Sequence, residues 1–118
     1  MKKYLFTLLL FLFASLSYSQ TINCKNYDIC VVEFNAGWNE ANGVNWLDNL
    51  TDCGVKKIQI DSEEGKAFQN KFNIVVVPTV IVFNGEEVKR YQADLSFKIA
   101  ATKDDVQTVI DETLMDQF

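Results

Sequence analysis

Three cysteines, Cys24, Cys30 and Cys53, are the residues of this 118-residue chain with the widest chemical reach. Two of them can close a structural disulfide and leave a spare thiol, all three can stay reduced in a core, or two can form a redox pair. Histidine is absent altogether. That removes the commonest general base near neutral pH and the commonest metal ligand, so zinc hydrolysis and Ser-His or Cys-His catalysis are excluded. No catalytic residue, cofactor or metal ligand is assigned. The net charge of −5 argues against extended contact with nucleic acid phosphates.

The redox compartment follows from the amino terminus. Lys2 and Lys3 form a basic start, Tyr4 to Leu16 is an almost unbroken apolar run, and Ser17-Tyr18-Ser19 supplies small residues where a signal peptidase reads. That is the layout of a secretory signal. Such a run is too short to span about 30 Å of hydrocarbon, so no stable membrane anchor is expected after cleavage. A lipid-modified Cys24 is disfavoured, because Thr21, Ile22 and Asn23 precede it instead of small apolar residues. The expected division is residues 1–19 as signal and 20–118 as one domain. Cleavage removes Lys2 and Lys3 and takes the charge from −5 to −7. The expected destination is the periplasm or the exterior, where disulfides persist.

The elements that must position the cysteines are strands and helices in alternation. Ile29 to Phe34 (ICVVEF) reads as a strand buried on both faces. A helix is expected over Glu40 to Leu50, with Asn39 as its N-cap and Val44, Leu47 and Leu50 on one face. Val55 to Asp61 reads as a second strand. Ser62-Glu63-Glu64 then opens a helix carrying Phe68 and Phe72 on one face and ending near Asn73. Thr79 to Phe83 is the third strand, Asn84-Gly85 a hairpin turn, and Val88 to Ala93 a polar fourth strand suited to an edge. Thr102 with Asp105 resembles a capping box before Val106, Val109, Ile110 and Leu114. The order β-α-β-α-β-β-α contains two strand-helix-strand crossovers, which imply a parallel portion, plus an antiparallel edge.

Four segments in this order resemble the thioredoxin family. Val32-Glu33-Phe34-Asn35-Ala36-Gly37-Trp38 resembles the strand and aromatic lead-in to the active-site helix. Ile58-Gln59-Ile60-Asp61 resembles the strand ending in Asp, Val77-Pro78-Thr79 the cis-proline turn, and Phe83-Asn84-Gly85-Glu86 the hairpin. The resemblance covers Ile29 to Phe118 and implies an α/β, thioredoxin-like mixed sheet flanked by helices. Its amino-terminal strand and helix are curtailed to at most one strand near Thr21 to Lys25.

The resemblance also marks a departure. After Trp38, where the family places Cys-x-x-Cys, this chain has Asn39-Glu40-Ala41-Asn42. The family's nucleophile is a thiolate with a second Cys to close the disulfide, and Asn can do neither. The resemblance further implies a buried ion pair between Glu33 and Lys57, and a groove in which Val77, Pro78 and Thr79 meet an extended peptide beside Trp38. Cys30 and Cys53 begin their strands and are expected at the opposite pole, with Cys24 close by. Which two pair is left open. The reading favoured is an exported peptide- or protein-binding module that is redox-silent at the usual site. The alternatives are an oxidoreductase using Cys24, Cys30 or Cys53, and a structural part of an envelope or surface assembly.

Overall fold

The computed structural model describes residues 22–117. The expected signal segment 1–19 lies outside the described residues, as do residues 20, 21 and 118. Four strands form one sheet: β1 (Cys30–Asn35), β2 (Gly54–Gln59), β3 (Thr79–Asn84) and β4 (Glu86–Gln92), in spatial order β2-β1-β3-β4. Two α-helices flank it, α1 (Glu63–Lys71) and α2 (Lys103–Met115). The α/β class, the strand order along the chain and the edge position of the fourth strand agree with the sequence reading.

β1 is central and buried along its whole length. Its residues alternate between two apolar layers, as a pleated strand requires. Val31, with Ile29 just ahead of the strand, joins Leu47, Val80 and Val82 beneath α2, whose Val106 and Ile110 complete that layer. Cys30, Val32 and Phe34 join Ile81 and Phe83 beneath α1. There the Phe72 ring lies within 6.0 Å of Phe34 and 5.1 Å of Phe83, centroid to centroid. Burying each of these large side chains contributes roughly 2–3 kcal/mol.

Both helices start where capping chemistry places them. The Ser62 hydroxyl accepts from the Gly65 N–H at 2.9 Å, with Glu63 and Glu64 in the positive first turn. Thr102 and Asp105 form a reciprocal capping box. Asn73 leaves α1 in the left-handed region at φ 53°, consistent with its expected place at the helix end. Gly85 turns the β3–β4 hairpin at φ 76°, a conformation that disfavours side-chain-bearing residues.

Three expectations are corrected. The segment 40–50 is not an α-helix: it is a 3-10 stretch over Gly37–Asn42 and a single 3-10 turn over Leu47–Asn49. Asn39, Asn42, Asn45 and Asn49 with Gly43 explain this, since asparagine side chains compete for backbone groups and glycine resists ordering. Leu47 and Leu50 are nonetheless buried and Val44 packs against them, so the apolar spacing located the right face. The second crossover is not parallel: β1 and β2 are parallel, but β3 runs antiparallel to β1. The long 60–78 connection therefore starts and ends at the same end of the sheet and passes over β1 to reach β3. Residues 22–25 form no strand.

Candidate functional site

The site lies beyond the carboxyl end of β1, where Asn35, Asn39 and Asn42 converge. The backbone enters through Ala36 and Gly37, and the Gly37 N–H donates to Asp61 Oδ2 at 2.9 Å. Asn39 is held at φ −115°, ψ 15°, outside helical geometry, and this turns its side chain inward. It is only 3% exposed. Its Nδ2 lies 3.2 Å from Asn35 Oδ1, 3.3 Å from the Phe97 carbonyl and 3.4 Å from the Val77 carbonyl. Two amide hydrogens are thus shared among three acceptors. Its Oδ1 accepts from Asn42 Nδ2 at 2.8 Å, and Asn35 Nδ2 donates to the Asn39 carbonyl at 3.2 Å. Asn39 is therefore no N-cap: its oxygen serves Asn42, and Ala36 stands at the start of the 3-10 stretch with no side-chain cap.

This cluster tethers a loop over the proline turn. The loop over residues 94–98 is closed by the Phe97 N–H donating to the Asp94 carbonyl and by the Asp94 N–H donating to the Lys98 carbonyl. Ser96 donates through both its amide and its hydroxyl to Asp94 Oδ1, and these bonds hold the Asp94 carboxyl below its ordinary range. Phe97 sits at φ 61° and sets its ring edge-to-face against Trp38, centroids 5.4 Å apart. The Val77–Pro78 peptide is cis, and Val77, Pro78 and Thr79 are all buried. The Val77 carbonyl accepts from Asn39 Nδ2, which also reaches the Phe97 carbonyl of the 94–98 loop. What faces outward is apolar: Trp38 is 67% exposed and Leu95 entirely so, with Phe97 half-exposed between them. Glu40 and Ala41 are exposed and take no part in the amide cluster.

Glu33 and Lys57 are partners in strand register, but the expected ion pair is not formed. Among the described residues the only ion pair joins Arg90 to Glu87. Glu33 Oε2 accepts from the Val44 N–H at 2.7 Å, while Lys57 is exposed. Burial raises the Glu33 carboxyl above its ordinary range, against the smaller lowering by the Val44 bond and the distant Lys57 charge. A long flexible ammonium stays in water more readily than it follows a buried carboxylate.

The cysteines gather at the opposite pole. Cys30 is the register partner of Gly54, at the end of the sheet where β1 and β2 both begin. Cys24 and Cys30 form a disulfide with Cα atoms 5.1 Å apart, while Cys53 is a buried free thiol. Cys24 and Cys30 belong to the layer beneath α1, whereas Cys53 packs into the layer beneath α2. The sheet itself separates Cys53 from the other two. Both cysteines of the disulfide are buried, Cys24 at 8% exposure and Cys30 at 2%. Burial, with the nearby Asp52 charge, pushes the Cys53 thiol up to about 11. Among the described residues no group of three or more acidic or cysteine side chains is placed to hold a metal.

The sequence reading named Trp38, Asn39, Asn42 and Val77, and the structure brings these together. It missed the roles of Asn35 and Phe97. The spacing Asn35-x3-Asn39-x2-Asn42 is the signal that could have found the first; Phe97 carries none, because only the loop's path puts it there.

No family model matches the sequence, and no curated protein does. Solved structures match it. A mutant thioredoxin from Halobacterium salinarum NRC-1 is 26% identical, with a TM-score of 0.55 over 74% of this chain and 75% of that one. Thioredoxin-2, a component of malaria parasite protein secretion machinery, is 19% identical, with a TM-score of 0.55 over 79% of this chain and 89% of that one. The oxidised thioredoxin from Plasmodium falciparum is 20% identical, with a TM-score of 0.50 over 74% and 82%. The fold is thioredoxin-like.

Proposed function

We propose that this chain is an exported protein-binding module on a thioredoxin-like scaffold, with structure in place of dithiol chemistry at the usual reaction position. The observation that carries the reading is the buried Asn35–Asn39–Asn42 amide cluster lying under an exposed Trp38–Phe97 pair. An amide neither ionises to a nucleophile nor stores electrons in a disulfide, so the cluster holds shape without dithiol chemistry. The shape it holds presents two aromatics and Leu95 to solvent, the side-chain types that anchor protein interfaces. The similarity to thioredoxins points the same way, toward protein rather than nucleic acid partners. Export rests on the basic and apolar start of the chain and on Ser17-Tyr18-Ser19.

The Cys24–Cys30 disulfide is a redox-capable group and supports a second reading, thiol–disulfide exchange at the opposite pole. Its buried sulfurs weigh against turnover. An insulin-reduction assay separates the two. The expected result is no turnover by the purified protein; turnover abolished by Cys24→Ser or Cys30→Ser moves the function to that disulfide. Capture of partners from envelope extract is expected to be lost in Trp38→Ala/Phe97→Ala without loss of folding. Capture unaffected by that variant removes the binding reading. Amino-terminal sequencing of the exported protein is expected to begin at Gln20.

A further inference from the structure

We infer a second docking surface, the outer edge of β2, which takes an extended acidic segment of a partner protein as an added strand. This inference is independent of the Trp38–Phe97 surface. β2 is the terminal strand of the sheet among the described residues and is bonded on one side only, to β1. The Gly54 N–H donates to the Ile29 carbonyl and the Ile60 N–H to the Asn35 carbonyl, each at 2.9 Å. Main-chain groups of the even-numbered residues therefore face β1, and those of Val55 and Lys57, with the Gln59 N–H, face outward, while the Gln59 carbonyl accepts from Ser62. These are the groups an incoming strand pairs with.

The two edges of the sheet are unlike. β4 is guarded by a register shift between Val82 and Phe83, by charges of both signs, and by the Glu87–Arg90 ion pair along its own strand. β2 keeps unbroken register with β1 over all six of its residues and carries charge of one sign only, Lys56 and Lys57, both exposed. Beside it opens a cavity of about 420 Å³ between β2 and α1, walled by Ile22, Ile58 and Phe68, with both lysines and Glu64 at its rim. The Cys24–Cys30 bridge pins the chain just after Ile22 to the start of β1, so Ile22 stays as a wall of the cavity.

The lysines choose the occupant. A second copy of this chain pairing edge to edge brings Lys56 and Lys57 against their own kind, which opposes association. By strand alternation Lys57 lies on the face opposite Ile58 and attracts the acidic side chains of an alternating strand, whose apolar side chains fill the cavity against Ile58 and Phe68 beside Lys56. The match is of charge, alternation and volume together.

The test uses two fluorescein-labelled eight-residue peptides, one alternating Glu and Val, the other Lys and Val, titrated against the full chain by anisotropy. The Glu-Val peptide is expected to bind and the Lys-Val peptide not. The double substitution Lys56→Glu/Lys57→Glu is expected to weaken the Glu-Val peptide at least about tenfold and to admit the Lys-Val peptide, with unchanged circular dichroism. Amide exchange at Val55, Lys57 and Gln59 is expected to be fast in the free protein and slowed by the Glu-Val peptide. The inference is overturned if neither peptide binds, if both bind alike, or if charge reversal changes nothing. It is also overturned if those three amides are already protected in the free protein, which assigns the edge to the chain's own amino-terminal segment or to a second copy.

Discussion

Asn39 joins five groups within one buried space: Asn35, Asn42, the Val77 and Phe97 carbonyls, and its own backbone turn. Removing the amide leaves acceptors buried without donors, a cost of about 1–3 kcal/mol per group that solvent does not reach. Asn39→Ala is therefore expected to lower the urea-unfolding free energy by about 2–3 kcal/mol. Asn39→Asp keeps the shape but sets a carboxylate against two carbonyl oxygens, and is expected to cost more than the alanine. A milder effect of Asp than of Ala would mean the side chain acts by volume alone. Glu33 behaves differently, because its hydrogen bond is satisfied while its charge is not. Its carboxyl is raised by burial, so its contribution to stability is fully present below its ordinary value of 4.5 and is lost as pH rises through the folded-state value. Glu33→Gln cannot titrate yet can still accept from Val44. Its stability curve is expected to lack the decline that the parent shows as pH rises above 4.5, and parallel curves would place the titration elsewhere.

Among the elements, the two α-helices and the 3-10 segment show opposite balances of local and long-range control. α1 and α2 carry their own caps and would start at the same residues in many contexts. The 37–49 segment has no side-chain cap at either 3-10 stretch, and its shape depends on what its side chains reach. At the other pole, residues 22–29 are organised by the Cys24–Cys30 bridge, against which Gly54 is packed so closely that a Cβ there would lie 2.2 Å from the Cys24 Cβ. The bridge spans a sequence separation of 6. A loop this short constrains the unfolded chain by about 2 kcal/mol, less than a link to Cys53 would. Cys24→Ser/Cys30→Ser, or addition of reductant, is expected to lower Tm by roughly 10 °C with the fold retained. An unchanged Tm would mean the bridge leaves the unfolded ensemble unconstrained.

The cysteines lie at the opposite pole of the sheet from the Trp38–Phe97 pair. Across β1, roughly 16 Å of strand separates the disulfide from the amide cluster. Cys53 lies on the other face of the sheet from that disulfide, inside the layer that includes Leu47, Val80 and Ile110. Reaching it requires opening that layer, so its alkylation reports global unfolding rather than local fraying. Native protein at a pH of about 8 is expected to react with iodoacetamide far more slowly than a free thiol, and to reach the free rate only across the urea transition. Denatured protein is expected to yield one reactive thiol without reductant and three with it. Since the folded thiol sits near 11 and the unfolded one near 9.0, stability from this group is complete below 9.0 and lost as pH rises through 11. Cys53→Ala is expected to remove that part of the alkaline decline. Fast native alkylation would show that the layer opens without unfolding.

Periodicity, turn and capping signals are local properties, and they made four strands and two helices legible, with the burial of β1 on both faces readable in ICVVEF. The placement of the cysteines at one pole and of Asn39 at the other followed from the direction of β1, whereas Val77 meets Asn39 only because β3 runs antiparallel to β1. Three further matters were decided only in three dimensions. Cys53 was excluded from the disulfide by the face on which it emerges, since the Cys30–Gly54 register puts it across the sheet from Cys24. Glu33 took the Val44 N–H instead of Lys57 because a backbone donor was already in place and a solvated ammonium was not. The 37–49 segment left the helical path because its asparagines found partners, Phe97 among them 58 residues away, that no local pattern announces. Local sequence sets which conformations a segment favours, and the donors and acceptors that the rest of the chain brings within about 3 Å select among them.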